Sequence, residues 1–88
     1  MKSLYLLNNP DNFQACLPQL QAHDGLLLIE NAVILATKIT ELPCKAMVLS
    51  PDLEARALTG KVQPNWQPID YADFVNKTLN YDKCVSWL

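Results

Sequence analysis

At 88 residues the chain has room for one domain, 1–88, and a body of that size leaves roughly 35–40 % of its unfolded surface exposed after folding. Half of the residues are hydrophobic and 18 % are charged, so part of the apolar surface is expected at an interface. The formal net charge is −2 and the seven Lys and Arg lie scattered singly from Lys2 to Lys83, which excludes a basic stripe and argues against direct nucleic-acid contact.

No apolar run approaches the roughly 20 residues that cross a bilayer, so no membrane span is expected. The start, Met1-Lys2-Ser3-Leu4-Tyr5-Leu6-Leu7, has the flavour of a signal peptide. Its apolar stretch is too short, however, and polar Asn8-Asn9-Pro10 follows where a small-residue cleavage site belongs. The expected location is the cytoplasm. Cys16, Cys44 and Cys84 form no CxxC pair and no metal-ligand spacing, an odd and dispersed set that suits free thiols in a reducing compartment. His23 is the sole histidine, and Gly25 and Gly60 are the only glycines, so neither a multi-histidine metal site nor a phosphate-cradling glycine loop is expected; no cofactor is predicted.

In chain order, Ser3 to Leu7 reads as a buried first strand closed by Asn8-Asn9-Pro10. Asn9 then caps a helix with Pro10 at its first position, Phe13, Leu17 and Leu20 form its apolar face, Pro18 kinks it and Asp24-Gly25 ends it. Gly25 to Glu30 carries unbroken aliphatics, as a central parallel strand covered on both faces does. A short helix from Asn31 to Ala36 follows, against the β-branched Val33 and Ile34, and Ala46 to Leu49 is the third strand. Ser50-Pro51-Asp52 starts a helix that runs to Gly60. Trp66 to Ile69 is a fourth strand that Pro68 assigns to a sheet edge. Asp70 and Asp73 open a last helix with Phe74, Val75, Thr78 and Leu79 facing inward, and Cys84 to Leu88 adds a final strand.

Strands alternating with short helices predict an α/β fold: a single-domain three-layer sandwich whose mostly parallel sheet of four to five strands carries short helices on both faces. Functional loops are then expected beyond the C-terminal strand ends, beginning at Asn8, Glu30, Ser50 and Asp70.

Four patterns recur in one order: Gly25-Leu26-Leu27-Leu28-Ile29-Glu30-Asn31, then Val48-Leu49-Ser50-Pro51-Asp52-Leu53-Glu54-Ala55-Arg56, then Ile69-Asp70-Tyr71-Ala72-Asp73-Phe74-Val75, and Trp87 near the end. Together, over nearly the whole chain, they resemble the DsrH/TusB family of bacterial sulfur-relay proteins. The resemblance implies a DsrE-like fold and an assembly with TusC/DsrF-like and TusD/DsrE-like sister subunits that passes persulfide sulfur between cysteines. In the Tus branch, sulfur comes from TusA and leaves through TusE toward the 2-thiouridine of the tRNA wobble position. In the Dsr branch it serves dissimilatory sulfur oxidation. The resemblance also implies that the principal accepting cysteine belongs to the TusD/DsrE-like subunit, leaving this chain mainly architectural.

Cys16 is the candidate persulfide carrier, since DsrH-type members hold a cysteine in the first helix. Sulfur transfer requires an exposed thiolate. The alternative is a small apolar residue beside the Phe13, Leu17 and Leu20 face, and Lys2 and Lys38 are the only cations to hand. Cys44, between Pro43 and Lys45, and Cys84 read as loop and tail thiols. His23 reads as a solvated residue at a helix end, Asp52 and Arg56 as an i, i+4 surface pair, Asp70 and Asp73 as capping residues, and Trp66 and Trp87 as core or subunit contacts. Three functions follow as alternatives: an accessory subunit of a sulfur-relay complex, a stand-alone sulfurtransferase using Cys16, or a homo-oligomeric interaction module without sulfur chemistry.

Overall fold

The computed structural model describes residues 1–87, so Leu88, the last residue of the expected final strand, lies outside the described residues. Five strands, β1 (Ser3–Leu7), β2 (Gly25–Leu28), β3 (Lys45–Leu49), β4 (Gln67–Ile69) and β5 (Lys83–Trp87), form one sheet in the order β4-β3-β2-β1-β5. Every neighbouring pair is parallel. With helices on both faces this is the three-layer α/β sandwich expected from the strand–helix alternation. Gly25–Leu28 is buried on both faces, as its unbroken aliphatics require. Pro68 sits on an edge strand, where the amide it lacks is not missed.

Chain order fixes which face each helix takes. The first three crossovers step one way, from β1 to β2, β3 and β4, whereas the fourth returns across the whole sheet to β5, beyond β1. Right-handed crossovers put helices on opposite faces when the direction of stepping reverses. Accordingly, Leu7, Leu26, Leu28 and Val48 pack with Phe13, Cys16, Leu20, Ala32, Val33, Ala36 and Leu53 on one face. Leu4, Leu27, Met47, Leu49 and Ile69 pack with Ile29, Phe74 and Tyr81 on the other. Each leucine hidden this way contributes about 1.5–3 kcal/mol.

The first face is built from short pieces. Asn9 accepts from the Asp11 amide at 3.0 Å, as a cap should, but Pro10–Asn12 is a 3-10 turn, α1 covers only Phe13–Cys16, and a second 3-10 turn follows over Leu17–Gln19. Pro18 accounts for the change, because its ring removes a backbone donor and crowds the preceding turn. The helix therefore ends before Asp24-Gly25. Asp24 instead lies buried and accepts from the amides of Ser3 and Gln21, each at 3.0 Å, tying the start of β1 to the turn that leads into β2. Glu30–Thr37 is 3-10 throughout, in keeping with its β-branched Val33 and Ile34. The helix α2 covers Ser50–Ala55 and follows Leu49 directly, with no side-chain cap from Ser50. It stops at Arg56, and the left-handed residue behind it is Ala57 (φ 55°), not Gly60.

The opposite face holds α3, Tyr71–Asn80, the longest helix. Asp70 caps it by accepting from the Asp73 amide at 2.8 Å. Beneath it, Gly25 is required by close approach: a Cβ there would press on Tyr81, with Cζ at 2.9 Å and Met47 Cε at 3.0 Å. The expected inward face of α3 is only half right. Phe74 packs on the sheet and Thr78 is half-buried, but Val75 and Leu79 are 61 % and 78 % exposed. A helix resting on one flat layer buries a narrow stripe, and the remaining apolar positions rotate away from it.

Candidate functional site

At the C-terminal ends of the strands, the loops after β2 and β3 are stapled together. Glu30 adopts a left-handed conformation (φ 52°) and its amide donates to Asp52 Oδ2 at 2.6 Å. Arg56 donates from Nε and Nη2 to Asn31 Oδ1, at 3.3 and 3.0 Å, and from Nη1 to the Asp52 carbonyl at 3.2 Å. Asp52 and Arg56 are thus neighbours, as their spacing predicts, but the carboxylate serves the Glu30 backbone and the guanidinium serves Asn31. This rim orders loops. It brings no nucleophile next to a base.

Open space lies at the other end of the sheet. One groove of about 390 Å³ is bounded by Thr40, Glu41, Leu42, Cys44, Ala46 and Asn65. A second, of about 400 Å³, is lined by residues that include Tyr5, Gln21, His23, Asp24 and Lys83. His23 Nε2 stands 3.6 Å from Asp24 Oδ1, whose own partners are backbone amides, so the pair belongs to the turn that holds β1 and β2 together.

The three cysteines are free and occupy different environments. Cys16, on α1, is 0 % exposed within the core of the first face, and burial pushes its thiol up from 9.0 to about 11. Neither anticipated lysine helps: Lys2 Nζ stands over the Tyr81 ring, 5.0 Å from its centroid, and Lys38 is exposed. Cys44 packs against the edge of the same core, with Sγ 3.5 Å from the Lys45 carbonyl. Its thiol is also pushed up to about 11, first by burial and then by the charge of Asp24 and by Cys16. Cys84 is exposed on β5, paired in register with Leu4, and so faces the opposite side of the sheet. The sheet therefore separates Cys84 from Cys16 and Cys44. Both thiols on the first face are held protonated, and a protonated thiol is a poor acceptor of sulfur.

Of the tryptophans, Trp66 is core, with its indole N–H donating to the Ile39 carbonyl at 2.7 Å. Trp87 is half-buried against the first-face core, and among the described residues its indole nitrogen has no acceptor. Asp70 and Asp73 act at the α3 N-terminus, as expected of capping residues. What sequence reasoning missed is the exposed row Tyr71, Val75 and Leu79. Their i, i+4, i+8 spacing beside Phe74 and Thr78 was the available signal, since it makes an apolar arc wider than one sheet contact covers.

Comparison with known proteins identifies relatives of this chain. The family model described as DsrH like protein matches residues 8–84. Proteins named Protein TusB from Escherichia coli O1:K1 / APEC, Escherichia coli (strain UTI89 / UPEC) and Shigella boydii serotype 18 are each 35 % identical over 83 residues, covering 86 % of this chain and 87 % of theirs. With the family model matching residues 8–84 and the relatives aligned over most of both chains, this chain belongs to the DsrH/TusB family.

Proposed function

We propose that the chain is an accessory subunit of a cytoplasmic sulfur-relay complex that supports 2-thiouridine synthesis at the tRNA wobble position. Its partners in this reading are TusC/DsrF-like and TusD/DsrE-like sister subunits, with carriers of the TusA and TusE kind acting through the complex. The observation that carries the proposal is the alignment to proteins named TusB along nearly the full length of both chains. That likeness favours the Tus branch over dissimilatory sulfur oxidation. Among the described residues no helix is long and apolar enough to cross a membrane.

The proposed role is architectural, with the accepting thiol on a sister subunit. Supporting this, Cys16 is fully buried with its thiol pushed up to about 11, whereas persulfide transfer needs a thiolate open to in-line approach. For Cys16 to carry sulfur, the segment from Phe13 to Gln19 must lift off the sheet. The dispersed cations likewise support tRNA contact through downstream proteins rather than through this chain.

The test is co-expression with the two sister subunits, followed by co-purification and measurement of tRNA 2-thiouridine in a strain lacking the native subunit. A stable complex and restored thiolation are expected, and Cys16→Ser should retain both. Failure to co-purify, or complete loss of thiolation in a well-folded, well-assembled Cys16→Ser complex, would overturn the architectural reading.

A further inference from the structure

Of the two thiols on the first face, Cys44 is the one that solvent reaches: it is half-buried and helps to line the groove that Thr40, Glu41 and Asn65 share. In sequence it adjoins a cation, Lys45, which would favour a thiolate. Register removes that cation. Lys45 pairs with Gly25 and Gly25 with Leu4, a residue of the α3 face, so the Lys45 side chain leaves on the α3 side. Cys44, one residue earlier, turns to the first face and packs against its core. The same alternation sets Asp24, the residue before Gly25, next to Cys44 at the rim where β2 and β3 begin.

What faces Cys44 is therefore acidic or neutral. Asp24 is 4 % exposed, and its carboxylate is fixed by the amides of Ser3 and Gln21, with His23 Nε2 3.6 Å from Oδ1. Glu41 lines the groove, Leu42 and Ala46 are apolar, Cys16 lies in the core behind, and the Tyr81 side chain crowds the Gly25 backbone. The Cys44 thiol itself donates to the Lys45 carbonyl, with Sγ 3.5 Å from the oxygen. A thiolate has no proton to donate there, and its charge would meet a carbonyl oxygen and a buried carboxylate instead.

We propose that Asp24 and the Lys45 carbonyl together hold the Cys44 thiol in its protonated form, leaving the groove without a reactive sulfur nucleophile near neutral pH. Burial acts first in the same direction and the Asp24 charge adds to it, so the thiol is pushed up to about 11. This holds whether or not the relay reading does; within that reading it stops Cys44 from intercepting sulfur bound for a sister subunit.

The test is alkylation of the purified full chain by iodoacetamide from about pH 7 to 11, followed at each cysteine by mass spectrometry, with exposed Cys84 as the reference in the same sample. At about pH 8, Cys44 should react about tenfold more slowly than Cys84, and its rate should still be climbing above about pH 10. Asp24→Asn keeps the shape and removes the charge. It should move the Cys44 profile to lower pH and raise the rate at about pH 8 by about threefold, with Cys84 unchanged. Melting temperature checks that this variant folds; should it not, the parent profile still decides, because a Cys44 midpoint near the ordinary 9.0 overturns the proposal. So does a Cys44 that reacts as fast as Cys84 at about pH 8, or a well-folded Asp24→Asn variant whose Cys44 profile is that of the parent.

Discussion

On the face that carries Leu7, Leu26, Leu28 and Val48, a string of short and mostly 3-10 segments seals the sheet, whereas on the face that carries Leu4, Leu27 and Met47 a single regular ten-residue helix crosses it. The poorly formed helices are the ones that bury residues, and the well-formed one buries none completely. Helical regularity and burial thus part company. Short helices are marginal by themselves and persist because their apolar side chains pack, so Pro18, Val33 and Ile34 are tolerated where the core rewards them. The last helix has good capping and ordinary propensity, and keeps a stripe of large apolar side chains in reserve.

The contrast is sharpest at the first-face core. Leu28→Ala, at a fully buried site between β1 and β3, is expected to cost about 2–5 kcal/mol in urea unfolding. A loss under 1 kcal/mol would break the comparison. Beneath α3, Gly25→Ala forces Tyr81 and Met47 aside and should cost about 1–3 kcal/mol, with part of the loss recovered by Tyr81→Phe, which removes the nearest atom. Cys16→Ser places a hydroxyl in the first-face core and should lower stability by about 1 kcal/mol or more when it finds no partner.

A pH scan distinguishes the faces by chemistry. Cys16 and Cys44 both ionise at lower pH unfolded than folded, because their folded values are raised to about 11 from 9.0. The unfolded chain then gives up protons that the native chain retains, so stability is complete below pH 9 and falls as pH climbs toward 11. Melting temperatures measured across that window should decline, and Cys16→Ala should flatten the decline; a flat profile in the parent chain would refute the buried-thiol assignment. The smallest effect is expected on the outer stripe, where Leu79→Ala should change stability in urea unfolding by no more than about 0.5 kcal/mol.

Periodicity and punctuation determined much of this protein. The aliphatic run of β2, the Pro68 edge, the Asp70 cap and the strand–helix alternation were legible because each rests on local backbone chemistry, and the ordered motifs identified the family over nearly the whole chain. Tertiary structure alone decided the rest. Whether Cys16 meets solvent depends on how α1 lies on the sheet, whether Asp52 pairs with Arg56 depends on a loop 22 residues upstream that claims the carboxylate, and whether Val75 points inward depends on how much sheet α3 finds beneath it. A residue's neighbours in sequence set what its backbone prefers, but its exposure and pKa are set by side chains distant in the chain, and these meet only when the sheet assembles.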